Sequence, residues 1–94
     1  MELKKKSKTI KFLVYGYVQG VNYRAFVKRL AEELSITGYV RNLDDGSVEI
    51  LANISEDKLS YFLMKLYEGS TFSKVRNVQF EEIPYQEFKS FEIK

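Results

Sequence analysis

From Thr9 to Tyr15 the chain alternates. Ile10, Phe12 and Val14 fall on one face and Thr9, Lys11, Leu13 and Tyr15 on the other, a period of two that predicts a strand. Beyond Gly16-Tyr17-Val18-Gln19-Gly20-Val21 the period lengthens. Tyr23, Phe26, Val27, Leu30 and Leu34 recur at helical spacing against Lys28, Arg29, Glu32 and Glu33, predicting a helix over 22–34 with Asn22 as its N-cap. Gly38 opens a second β run, Tyr39 to Asn42. Asp44-Asp45-Gly46 then supplies turn chemistry before Ser47 to Asn53, where Val48, Ile50 and Ala52 alternate, so the pair reads as a hairpin. Ser55 can cap a second helix with Glu56 and Asp57 in its first turn, a buried stripe of Leu59, Phe62, Leu63 and Leu66, and Gly69 as its stop. Val75 to Ile83 predicts a fourth strand with Val78 and Phe80 inward. Pro84 ends it, and Phe88 to Ile93 predicts a short last strand.

The order β-α-β-β-α-β plus a short strand predicts an α+β fold of the ferredoxin-like, split β-α-β type, with two helices on one face of a four- to five-stranded, mainly antiparallel sheet. In a right-handed crossover the first two strands run parallel. The ends carrying the glycine turn and Asn42 therefore lie along one edge of the sheet, and Gly16 to Arg24 becomes a spatial neighbour of Asn42.

Composition narrows the chemistry. Ninety-four residues, 45% hydrophobic, suffice for one core only, with seven Phe and seven Tyr to fill it. The expected organisation is a lysine-rich tail over 1–8 and a single domain over 9–94. Cys, Trp and His are all absent, which removes thiolate chemistry, imidazole acid–base catalysis and the usual soft metal ligands. The net charge of +2 comes from Lys4, Lys5, Lys6 and Lys8, a solubilising tail in preference to a basic face. No apolar run is long enough to span a bilayer and no secretory signal opens the chain, so a cytoplasmic protein without membrane contact is expected.

What remains is Gly16 to Arg24. Two glycines let successive N–H groups converge, a helix beginning near Asn22 adds unpaired amides and the positive end of its dipole, and Arg24 can fork two donors onto phosphate oxygens. Together these residue types make an anion cradle. A glycine pair alone would be only a tight turn, and an arginine in a first helical turn faces an unfavourable dipole unless an anion stands in front of it.

With Gln19, Val21 and Arg24 in register, the chain closely resembles the acylphosphatase family. Its two signatures, roughly G-x-V-Q-G-V-x-[FY]-R and G-[FYW]-V-x-N-x-x-x-G-x-V, are matched by Gly16 to Arg24 and by Gly38-Tyr39-Val40-Arg41-Asn42 through Gly46 and Val48. The resemblance implies hydrolysis of the carboxyl-phosphate bond of acyl phosphates to a carboxylate and inorganic phosphate, with neither metal nor organic cofactor. It implies that Arg24 and the segment Gln19, Gly20, Val21, Asn22, Tyr23 and Arg24 bind the phosphoryl group, and that Asn42 positions the attacking water. Inorganic phosphate is then product and inhibitor, and a monomer without nucleic-acid partners is expected. Leu43 stands where some members carry threonine, which leaves Ser47 as the alternative hydroxyl. Ile54 stands where a glycine is common, away from the cradle. Asp44 and Asp45 read as turn residues and are assigned no catalysis.

The competing reading is a non-catalytic ferredoxin-like module that binds phosphate, carbamoyl phosphate or RNA, since this element order also serves RNA recognition. RNA binding asks for exposed aromatics on the third strand, and Ser47-Val48-Glu49-Ile50-Leu51-Ala52 carries none.

Overall fold

A computed structural model of the chain describes residues 7–94. The part of the lysine-rich tail over 1–6 lies outside the described residues. In order, the elements are β1 (Ser7–Tyr17), α1 (Tyr23–Glu33), β2 (Thr37–Asn42), β3 (Val48–Ser55), α2 (Glu56–Glu68), β4 (Lys74–Ile83) and β5 (Phe91–Ile93). The five strands form one sheet in the order β4-β1-β3-β2-β5. β1 and β2 each pair antiparallel with β3 and so run parallel to one another, while β5 pairs parallel with β2.

Alternation explains the core. Ile10, Phe12 and Val14 of β1 lie opposite Ala52, Ile50 and Val48 of β3, and all six are buried beneath the helices. Burying a Val, Ile or Phe side chain here contributes roughly 1.5–3 kcal/mol. Val27, Leu30 and Ala31 of α1 and Phe62 and Leu66 of α2 complete the layer, with the Phe62 ring set edge-on to Phe12 at 5.2 Å. Leu59 and Leu63, expected in the buried stripe of α2, are only partly buried against this core.

The opposite face is partly covered by the chain itself. To pass from β4 at one edge to β5 at the other, residues 84–90 cross the sheet, where Asn53 donates to the Gln86 carbonyl at 2.7 Å and the Gln86 N–H donates to Thr9 Oγ1 at 3.0 Å. Thr9 in turn donates to Asn53 at 2.6 Å, so this polar pair is buried but satisfied. Phe88, expected in the last strand, belongs instead to this crossing and sets its ring edge-on to Tyr39 at 6.1 Å, which leaves β5 only Phe91–Ile93. The first strand also runs longer than its alternation predicted, because Ser7 and Lys8 already pair with Ser55 and Ile54.

Phe80 corrects a second expectation. Its ring lies 5.9 Å from that of Phe12, on the helix side, but 48% of the residue is exposed because β4 is an outer strand that α2 only partly covers. Tyr67 shields part of the same edge by accepting the Val78 N–H at 3.1 Å.

Gly16 bends the far end of β1 toward the site. The β1–β4 register slips between Tyr15 and Gly16, where φ is +136°, and a Cβ there would run into the Lys74 carbonyl and lie 2.9 Å from the Arg76 nitrogen. Gly16→Ala is expected to destabilise the fold by at least the roughly 1–3 kcal/mol of a strained backbone position, read as a lower urea midpoint at unchanged m. An unchanged midpoint would contradict the bulge.

Candidate active site

β1 ends at Tyr17, and the buried Val18 pins the start of the loop that follows. Gln19 then turns its side chain away from the loop, donating from Nε2 to the carbonyls of Leu43 (2.8 Å) and Ser47 (2.9 Å). It thereby fastens the loop to the turn that follows Asn42. Gly20 has φ +74°, a conformation glycine adopts without steric cost.

Asn22 precedes α1 as expected, but with a different geometry. Its backbone is left-handed (φ 63°, ψ 23°) and its side chain makes no capping hydrogen bond, although its carbonyl accepts the Phe26 N–H at 3.1 Å. A left-handed residue cannot swing its carboxamide back over the first turn as an extended N-cap does. The first amides of α1 are thus left for another acceptor. No acidic side chain occupies that turn to quench the dipole.

Arg24 is half-buried in the same turn, and its Nη1 donates to the Lys94 carbonyl at 3.0 Å. The Lys94 N–H donates to the Val40 carbonyl at 2.8 Å, which holds the end of β5 beside β2. Arg24 and Asn42 line one cavity of about 300 Å³ together with Val18, Gly20, Asn22, Tyr23, Ala25 and Ile93. That space is about ten times the roughly 30 Å³ a water occupies in the liquid. Asn42 Oδ1 is buried and has no hydrogen-bond partner among the described residues. An orphaned acceptor costs about 1–3 kcal/mol, and a water at the cavity wall would satisfy it.

Of the residues singled out in the sequence, Gly20, Asn22, Tyr23, Arg24 and Asn42 line this cavity, whereas Gln19 and Val21 do not. The Tyr23 hydroxyl donates to the Leu66 carbonyl at 2.8 Å, and burial pushes its phenol above the usual tyrosine range, so it anchors the helix as a neutral group. Ser47 is no free hydroxyl. It is buried, and its amide (2.9 Å) and hydroxyl (2.5 Å) both donate to Asp45, holding that carboxyl below the usual carboxylate range. Asp45 is thereby a turn residue, and Asp44 is an exposed member of the same turn. Val18, Ala25, Ile93 and the Lys94 carbonyl were missed. For the last two the one signal was the alternation of Phe91-Glu92-Ile93, and its use depends on a parallel pairing with β2 that strand prediction alone does not give.

The sequence profile of the acylphosphatase family matches residues 10–93. The chain belongs to the acylphosphatase family. An acylphosphatase from Solibacter usitatus is 43% identical over 88 residues, covering 94% of this chain and 92% of the relative. One from Bacillus licheniformis is 49% identical over 72 residues, covering 77% and 80%. Among solved structures, the acylphosphatase from Coxiella burnetii superposes with a TM-score of 0.90 at 36% identity, covering 99% of this chain and all of that one. The two helices on an open five-stranded sheet are therefore the acylphosphatase version of the ferredoxin-like fold expected from element order.

Proposed function

We propose that this acylphosphatase holds the phosphoryl group with Arg24 and the amides of the loop and first helical turn, and that Asn42 holds the water that attacks it. The reaction itself follows from family membership: the chain is an enzyme that hydrolyses acyl phosphates to a carboxylate and inorganic phosphate. The observation that carries the residue roles is the shared cavity, which sets an unpartnered buried acceptor on Asn42 beside a guanidinium and a helix start.

Phosphoryl transfer asks the protein mainly for position and for charge stabilisation on the equatorial oxygens. The Arg24 fork and the convergent amides meet that need. Asn42 Oδ1 accepts a hydrogen bond from the water and so aims its lone pair at phosphorus; a carboxamide is no base, and as the O–P bond forms the water's proton passes to a phosphate oxygen. The leaving group is a carboxylate whose conjugate acid has a pKa of about 4, so it departs without a general acid. A chain without histidine is suited to that one bond.

Inorganic phosphate left in the cradle acts as a product inhibitor. The enzyme works as a cytoplasmic monomer; no helix among the described residues is long and apolar enough to cross a membrane. The RNA-binding alternative lacks a platform, because every residue of β3 except Ser55 is buried. The deciding experiment is hydrolysis of benzoyl phosphate, followed by absorbance with and without a chelator. Equal turnover in both, inhibited competitively by phosphate, is expected. Loss of turnover in chelator would overturn the metal-free reading.

A further inference from the structure

The turn between α2 and β4 reaches behind the cradle. Ser70 Oγ donates to the Val21 carbonyl at 2.8 Å, across 49 residues of sequence. Val21 lies outside the cavity shared by Arg24 and Asn42, while Asn22, the next residue, lines it. The two are joined by one planar trans peptide, in which the Val21 C=O and the Asn22 N–H point in opposite directions. Holding the carbonyl back therefore holds the amide forward.

We infer that Ser70 is a positioning residue: by fixing the Val21–Asn22 peptide from behind, it aims the Asn22 N–H into the phosphate cavity. The peptide needs such a hold, since it leads into an asparagine at φ +63° one residue after a glycine at φ +74°, with neither helix nor strand hydrogen bonds to orient it. A peptide free to flip would present a carbonyl oxygen to the anion. Ser70 is in turn well placed. Its N–H donates to Ser73 Oγ at 2.8 Å and its carbonyl accepts from the Ser73 hydroxyl at 3.0 Å, so the turn closes through the Ser70 backbone. Gly69 before it has φ +72°, and a Cβ there would collide with Ser73 Oγ. The Ser70 hydroxyl is not needed to build this turn and remains committed to Val21. The Tyr23 hydroxyl, bonded to the Leu66 carbonyl, ties the start of α1 to the same end of α2 and keeps the spacing fixed.

This inference rests on the reading that the cavity holds the phosphoryl group, and the test separates the two. Inorganic phosphate is titrated into 15N-labelled wild type, Ser70→Ala and Ser70→Thr, following the Asn22 amide resonance, with KM and kcat for benzoyl phosphate measured on the same proteins. Wild type is expected to show a large phosphate-dependent shift at Asn22. Ser70→Ala is expected to lose most of that shift and to bind phosphate roughly three- to tenfold more weakly, the span of one net hydrogen bond, at a similar melting temperature. KM should rise by the same factor, and Ser70→Thr should restore both. If wild type binds no phosphate, the reading of the site fails. If wild type binds and Ser70→Ala shows the same shift and affinity, the positioning role of Ser70 fails alone. A Ser70→Ala protein that loses melting temperature while keeping the Asn22 shift also overturns it.

Discussion

Arg24→Gln is expected to lower kcat/KM for benzoyl phosphate by a hundredfold to a thousandfold, about 3–4 kcal/mol of transition-state stabilisation. The loss should appear in both kcat and phosphate affinity. The guanidinium supplies charge as well as two donors in a fixed fork, and glutamine keeps comparable length but neither of these. Arg24→Lys restores the charge and not the fork, so it should recover only part of the activity. The substitution also removes the bond from Arg24 to the Lys94 carbonyl. That bond is exposed and contributes little, so urea midpoints of wild type and variant should lie close together. Catalysis retained within threefold of wild type would remove Arg24 from the mechanism.

Asn42→Ala is expected to cost a similar hundredfold or more, in kcat rather than KM, because the carboxamide touches the water and not the phosphoryl group. Its stability should change little. Asn42 Oδ1 has no protein partner among the described residues, so the deletion breaks no hydrogen bond to that oxygen within the fold and loses only the packing of the side chain at a cavity that water can refill. A variant that melts close to the wild-type temperature while nearly inactive is the signature of a group retained for chemistry. A marked drop in melting temperature would instead mean that Asn42 mainly braces the strand end.

The sequence made some of this site visible for reasons of local chemistry. Gly20 was legible as a turn glycine, its φ of +74° being one that glycine adopts freely, whereas Gly16, expected in the same turn, lies within β1 in the bulge against β4, where a side chain does not fit. Asn42, at the end of a predicted strand, became a neighbour of the cradle through topology, because two strands that run parallel end at one edge of the sheet. Other features lay beyond a local reading. Phe80 alternates correctly but sits half exposed, and alternation does not say which strand is outermost. Asn22 was correctly placed before the helix, yet its left-handed backbone is set by the loop behind it. Gln19 was expected in the cradle, but its side chain finds two carbonyls at the far side of the hairpin turn. Ser70 carries no signature of its own and acquires its place only when α2 delivers it to Val21. In each case the missing information was a contact between residues distant in sequence.

The same distance sets an order of assembly. The cavity is walled on one side by Ile93, and the contact from Arg24 to Lys94 closes a span of 70 residues. Closing so long a loop costs chain entropy before it returns any contact energy, and topologies dominated by such closures fold slowly. The hairpin of β2 and β3 can form early, whereas the cavity is complete only once β5 has docked beside β2. During synthesis, a growing chain of this protein therefore holds both of its signature motifs before it has a finished pocket, and activity waits on the docking of β5 beside β2.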